Sequence, residues 1–191
     1  MLYIRKGEEP QFLTAFKEKY PQKDYDSEEF AVNRPRLKAD LIKEQKGLCA
    51  YCCARITEAK SHNEHIEPRH PGSYESKRSL DYMNIVASCD NPKTCGKKKG
   101  NSYDEDKFVS PLDKNCDEKF EYYPNGEMVG DDYTIEQILN LNYYELKNAR
   151  SAVFKSLQNL DKNTIQECYM NEDEEDYQPY YNVIKWFWKT L

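Results

Sequence analysis

Cys49-Ala-Tyr-Cys52 and, after thirty-six intervening residues, Cys89-Asp-Asn-Pro-Lys-Thr-Cys95 are the stretches whose reading decides the fold. Zn²⁺ prefers tetrahedral sulfur or nitrogen donors, and C-x2-C is the shortest spacing that turns two thiolates toward one ion. The first pair forms a knuckle; the x5 pair is a looser second arm. Gly47 and Tyr51 favour a tight turn around the first pair, and the polar run from Ser88 to Cys95 argues against four cysteines used as small core hydrophobes. Cys53 adjoins Cys52 and competes with it; the x2 spacing favours Cys52. Four thiolates leave no open position for water, so this zinc is expected to be structural.

Seven cysteines, an odd count, argue mildly against a closed disulfide framework and fit four ligands with three bystanders. No apolar run approaches a membrane span, and Met1-Leu-Tyr-Ile-Arg-Lys lacks the apolar stretch of a secretory leader. The expected compartment is the cytoplasm, where thiols stay reduced and paired cysteines serve metals.

Between the cysteine pairs lies Glu64-His65-Ile66-Glu67-Pro68, followed by Asn84. Phosphodiester hydrolysis needs an activated water and a cation for the leaving oxygen. His65, with an ordinary pKa near 6.5, can be the general base, and Glu64 a hard oxygen ligand for Mg²⁺ or Mn²⁺. Adjacent side chains of a strand face opposite ways, so a local distortion, or the length of Glu64, must bring both to one phosphate. Asn84 either accepts from the His65 ring N–H or pins the loop that carries it. His62 and His70 read as solvent-exposed basic groups, with His62 near enough to be a reserve ligand.

Net charge is −6, an unpromising value for a nucleic-acid enzyme. Residues 49–101 nevertheless hold nine Lys/Arg against six Asp/Glu, +3, leaving −9 to the remainder. Arg69 and the run Lys97-Lys98-Lys99 could meet phosphates. An acidic whole should bind nucleic acid weakly alone, so a partner is expected to add affinity.

Around this segment the pattern is helical. Phe12, Phe16 and Tyr20 share one face of a helix over about 10–20. A second helix is expected over about 27–46, kinked or restarted at Pro35 and stopped at Gly47, with Leu37, Leu41 and Ile42 inward. Asn125-Gly126 within alternating apolar residues signals a hairpin. Thr134 with Gln137 reads as a capping box opening a helix to Leu141. A longer helix over about 143–160 carries Leu146, Ala149, Val153 and Leu157 inward, and a short one follows to Tyr169. Glu172–Asp176 reads as a solvated acidic loop, and the aromatic end from Tyr180 as packed against the chain itself. The expected fold class is α+β, mostly α, divided into a helical segment 1–46, a zinc-stapled module 47–106 and a hairpin with helices 107–191.

Gly-Leu-Cys-Ala-Tyr-Cys52, Glu64-His-Ile-Glu-Pro68, Leu80-Asp-Tyr-Met-Asn-Ile-Val-Ala-Ser-Cys89 and Cys95-Gly-Lys-Lys-Lys-Gly-Asn101 together resemble the HNH endonuclease module. The whole layout resembles the HNH component (PtuB-like) of Septu and Septu-like retron antiviral systems. The resemblance implies a ββα-metal fold with Zn²⁺ on Cys49, Cys52, Cys89 and Cys95, and metal-dependent cleavage of nucleic acid, DNA favoured. It further implies a complex with an ABC/SMC-like ATPase (PtuA-like), with a retron RNA/DNA-containing assembly as a further partner. By position His65 matches the general base, Glu64 the preceding metal ligand and Asn84 the central Asn. The third motif position falls on Gly96, which cannot ligate a metal; either Asn101 or Asp104 substitutes, or the metal is held by few protein ligands and its affinity is low. An RNA- or tRNA-cleaving nuclease and a non-catalytic zinc-binding adaptor are the rival readings.

Overall fold

A computed structural model describes residues 1–70, 77–171 and 174–191. Helix α1 (Gln11–Lys19) buries Leu13 and Phe16, with Phe12 and Tyr20 half-covered beside them. The segment expected as one helix over 27–46 is two pieces. A 3₁₀ turn, Glu28–Asn33, leads into α2 (Arg34–Glu44) with Pro35 in the first helical turn. There the missing N–H costs no hydrogen bond, so proline restarts the helix rather than kinking it. Gly47, at φ +75, donates back to the Ile42 carbonyl at 2.9 Å and ends the turn.

Strands β1 (Ser61–His65) and β2 (Ile85–Cys89) pair antiparallel, with His65 opposite Ile85 and Ser61 opposite Cys89. The short helix α3 (Cys95–Lys99) packs on β2, and α2 lies on both strands. The other side of β2 is paired by a side chain. The Gln45 amide accepts from the Ala87 N–H (2.6 Å) and donates to the Ala87 carbonyl (2.9 Å), satisfying buried backbone groups a third strand would otherwise serve. Lys6 ties the N-terminal segment to this unit through Glu44 (2.7 Å), the Ile85 carbonyl (3.0 Å) and the Tyr82 ring face.

A second hairpin joins β3 (Phe120–Tyr122) to β4 (Met128–Gly130) through Pro124-Asn125-Gly126. Gly126 takes φ +82 and lies directly on the following helix, where a Cβ would strike the Lys147 carbonyl. The expected capping box at Thr134 does not form. Asp131 caps the Thr134 N–H (2.7 Å), Thr134 Oγ1 accepts from Val109, and Tyr133–Ile138 is a π-helix. Helix α4 (Tyr144–Leu157) turns Leu146, Arg150, Phe154 and Leu157 inward, and Ala149 and Val153 are only half-buried. Arg150 is buried because three backbone or amide oxygens, of Gly126, Leu141 and Asn142, receive its guanidinium at 2.7–3.1 Å.

Helices α5 (Lys162–Tyr169), capped by Asp161, and α6 (Tyr181–Thr190) close the fold. The aromatic end packs intramolecularly, with Trp186 and Phe187 edge-on to Phe154 at 6.1 and 5.8 Å. Of the acidic stretch, residues 172–173 lie outside the described residues; Glu174, Glu175 and Asp176 are exposed, and Asp176 pairs with Arg55 at 3.1 Å. Among the described residues the protein is thus mixed α/β and helix-rich, with two small sheets. Among the described residues no helix is long and apolar enough to cross a membrane.

Candidate metal centre and adjoining cleft

The first cysteine pair sits in a tight loop closed by a Leu48–Arg55 bridge, with the Cys49 N–H on the Ala54 carbonyl (2.9 Å) and the Cys53 N–H on the Cys49 carbonyl (3.0 Å). Cys95 opens α3 at φ +55, held by its N–H on Leu139 (2.8 Å). This folding brings the sulfurs of Cys49, Cys52, Cys89 and Cys95 within 4.8 Å of one another. Zn–S bonds of about 2.3 Å in a tetrahedron place sulfurs roughly 3.8 Å apart, and Cys52 and Cys89 stand at 4.0 Å. The cluster could hold a metal such as zinc.

Burial opposes a thiolate at Cys49, but hydrogen bonds from its three neighbours take its pKa well below the ordinary value. Cys52 is pushed well up by the same sharing, and Cys95 first by burial. Four thiols this close do not all ionise unaided, and a dication would stabilise all four thiolates. The Cys89 N–H already points at Cys49 Sγ (3.3 Å). Cys53 is turned away by a φ of +60 into the apolar cluster of Leu48, Leu157, Ile165 and Ile184, where burial raises its thiol to about 11. It is a core residue.

Beside the cluster an open cleft of about 230 Å³ runs between β1 and α3, lined by His62, Glu64, His65, Gly96 and Asn101 among others. Glu64 and His65 therefore reach one cleft, as the motif requires, at the end of β1. Glu64 is buried. Its Oε1 meets the Lys99 ammonium (2.9 Å) and accepts from the Tyr51 hydroxyl (3.3 Å), and its Oε2 stands 3.3 Å from His62 Nε2. Burial alone would raise its pKa, but His62 and Lys99 hold the carboxyl below its usual value.

His65 is 6% exposed and lies edge-on to Tyr25. Its Nε2 is 2.8 Å from the Ser79 carbonyl, which can only accept, so the ring proton is on Nε2 and Nδ1 carries the lone pair. Burial lowers its pKa to about 4, so the ring is neutral at cellular pH. The Asn84 amide is bonded to backbone groups rather than to the ring. Its Oδ1 accepts from Glu67 N–H (2.8 Å) and its Nδ2 donates to the Glu67 (3.0 Å) and Arg78 (3.3 Å) carbonyls. Of its two expected roles, the geometry is that of the loop pin.

The basic residues divide. Lys97 and Lys98 are exposed on α3, and Lys97 and Arg69 line the cleft, Arg69 being paired with Asp26. Lys99, expected beside them as a phosphate contact, is instead fully buried on Glu64 and the His65 carbonyl (2.9 Å). On a helix, consecutive residues point about 100° apart, so a lysine run cannot present one face. Asn101 lines the cleft; Asp104 pairs with Lys107 outside it. His62, expected as an exposed basic group, is bonded to both Glu64 and Asp90. Ser79 and Tyr51 carry no chemical motif in the sequence. Only the i, i+2 spacing of His62 and Glu64 hinted that these two share a strand face.

No protein-family profile matches the chain. A protein of Escherichia coli named as the candidate HNH endonuclease of retron Ec83 is 28% identical over 158 residues, covering 78% of this chain and 57% of that protein's length. The chain therefore spans just over half of this relative. The likeness supports the HNH resemblance of the cysteine-framed segment and suggests a nuclease.

Proposed function

We propose that this chain is an HNH endonuclease that hydrolyses nucleic-acid phosphodiester bonds with a divalent cation, using His65 as general base. The observation that carries the reading is the juxtaposition of a neutral, tautomer-fixed His65 with the buried carboxylate of Glu64 in one open cleft, beside a four-cysteine cluster.

Zn²⁺ on Cys49, Cys52, Cys89 and Cys95 would staple the loop before β1 to the start of α3, fixing the two walls of the cleft. Mg²⁺ or Mn²⁺, held through Glu64 Oε2, would supply charge stabilisation for the leaving oxygen. The chain's own residues do the rest. The Ser79 carbonyl keeps the proton on His65 Nε2, so Nδ1 is free to take a proton from water. Lys99 and Tyr51 hold Glu64 Oε1 and leave Oε2 toward the cleft. Asn84 fixes the Glu67 backbone just after the base. Lys97, Lys98 and Arg69 offer cations for flanking phosphates.

We favour DNA as substrate and a retron-type defence assembly with an ABC/SMC-like ATPase as context. The name of the Escherichia coli relative supports the retron context, and the acidic net charge supports recruitment of substrate through a partner. Incubation of the full chain with plasmid DNA and total tRNA, in Mn²⁺ or Mg²⁺ and with or without the ATPase, tests the reading. His65-dependent cutting supports it and selects DNA or RNA. An intact, zinc-loaded protein that cuts neither under any condition would instead be an adaptor.

A further inference from the structure

Gly96 stands where the motif places its third metal ligand, and the structure shows what occupies that space. A Cβ built on Gly96 would lie 2.6 Å from Glu64 Oε2 and 2.8 Å from His62 Nε2. The glycine is the floor of a small cradle whose walls are an imidazole nitrogen and a carboxylate oxygen. Both come from the same face of β1, two residues apart.

We propose that His62 is the missing ligand of the divalent-cation site, binding through Nε2 together with Glu64 Oε2, with Asp90 orienting its ring from behind. This rests on the nuclease reading above and assigns the cation a protein nitrogen from the strand in place of one from the helix.

Three observations carry the assignment. First, Nε2 and Oε2 are 3.3 Å apart. Two donors each about 2.1 Å from one ion at 90–109° are roughly 3.0–3.4 Å apart, so the pair is already at ligand spacing. Second, His62 Nδ1 is 2.9 Å from Asp90 Oδ1. A carboxylate on the far nitrogen is the usual companion of a metal-bound histidine; it holds the proton on Nδ1 and leaves the Nε2 lone pair for the metal. Third, Glu64 Oε1 is taken by Lys99 and Tyr51, so its remaining acceptor capacity is on Oε2, beside His62. Asn101, which lines the same cleft, would be at hand as a neutral oxygen ligand, and water would fill the remaining positions.

A nitrogen donor changes the expected metal preference. Imidazole suits Mn²⁺ and the later first-row ions better than Mg²⁺, which favours oxygen. Mn²⁺ is therefore expected to bind more tightly than Mg²⁺, and the preference should fall when His62 is replaced.

The test is calorimetric titration of Mn²⁺ into zinc-loaded full-length protein, read beside thermal melting. Wild type, His62→Ala, Glu64→Ala and Asp90→Asn are compared. The proposal expects His62→Ala and Glu64→Ala each to weaken Mn²⁺ by at least about 10–100-fold, and Asp90→Asn by about tenfold, with zinc content retained throughout and melting retained in the His62 and Asp90 variants, whereas Glu64→Ala also lowers melting by leaving buried Lys99 unpaired. Mn²⁺ should also broaden the His62 ring resonances of the wild type in NMR spectra. Binding that needs Glu64 but is indifferent to His62 would overturn this assignment and leave the nuclease reading standing. Mn²⁺ binding absent from every protein, wild type included, would overturn both.

Discussion

Gly96 and Glu64 are in contact across the cleft: any side chain on the first would collide with the carboxylate of the second, at 2.6 Å from Oε2 for a Cβ alone. Where the HNH resemblance would place a third ligand, the strand carboxylate of Glu64 and the imidazole of His62 stand over a glycine. Gly96→Ala should therefore cost about 1–3 kcal/mol, since the carboxylate it strikes is buried, held by Lys99 and Tyr51, and must move to make room. It should displace Glu64 and His62 and lower cleavage by about tenfold or more. Melting and turnover measured on the same preparation check this; unchanged turnover contradicts the contact.

Lys99 is a second residue whose role follows from burial. Its ammonium is the charge partner of buried Glu64, and Lys99→Met would leave that carboxylate uncompensated. Breaking a buried pair from one side costs roughly 3–5 kcal/mol. Denaturant unfolding should show a loss of that order, with the Glu64 pKa raised. A loss no larger than that of Lys98→Met, on the exposed face of the same helix, would refute the pairing.

For the cysteine cluster, Cys49→Ser should abolish stoichiometric zinc and lower the melting temperature sharply, because binding free energy is folding free energy in such sites. Cys53→Ser is the control. It should retain one zinc per chain while losing about 1–3 kcal/mol for a hydroxyl placed in an apolar cluster. Metal analysis and melting of the two variants distinguish ligand from core residue.

The protonation of His65 gives a sign that can be checked by NMR titration. Its ring should stay neutral down to about pH 4, against an ordinary value near 6.5. Between those values the unfolded chain binds a proton that the folded chain refuses, so stability falls as pH drops from about 6.5 to 4 and levels off below. The full shift corresponds to roughly 3 kcal/mol at most. A bound cation would move the pKa further in the same direction. A ring midpoint near 6.5 would contradict the buried environment.

How much of this was legible beforehand differs by residue. The clustering of the four cysteines follows from spacing, because x2 and x5 are properties of the chain itself. Glu64 and His65 were legible as a pair for the same reason. Lys99 was misplaced because a run of three lysines says nothing about which one turns inward; that depends on where Glu64 sits across the sheet. The His65 acceptor, Ser79, is fourteen residues away and contributes only a carbonyl, which no sequence pattern marks. In the frame, Thr134 looked like a helix cap by composition, but the backbone of Val109 claims its hydroxyl and Asp131 caps in its place. Long-range partners decided each of these outcomes. The buried Arg150 is another case: one acceptor is in the hairpin turn, 24 residues back, and the others are at the π-helix exit just before α4, and no pattern in the helix itself marks either.

The most direct measurement is the rate of divalent-metal-dependent cleavage by zinc-loaded protein, wild type against His65→Ala, on plasmid DNA and tRNA in parallel. The account predicts cutting by the wild type in Mn²⁺, a loss of about 10²–10⁴-fold in the variant, and unchanged zinc content. Cutting by His65→Ala at the wild-type rate would contradict it.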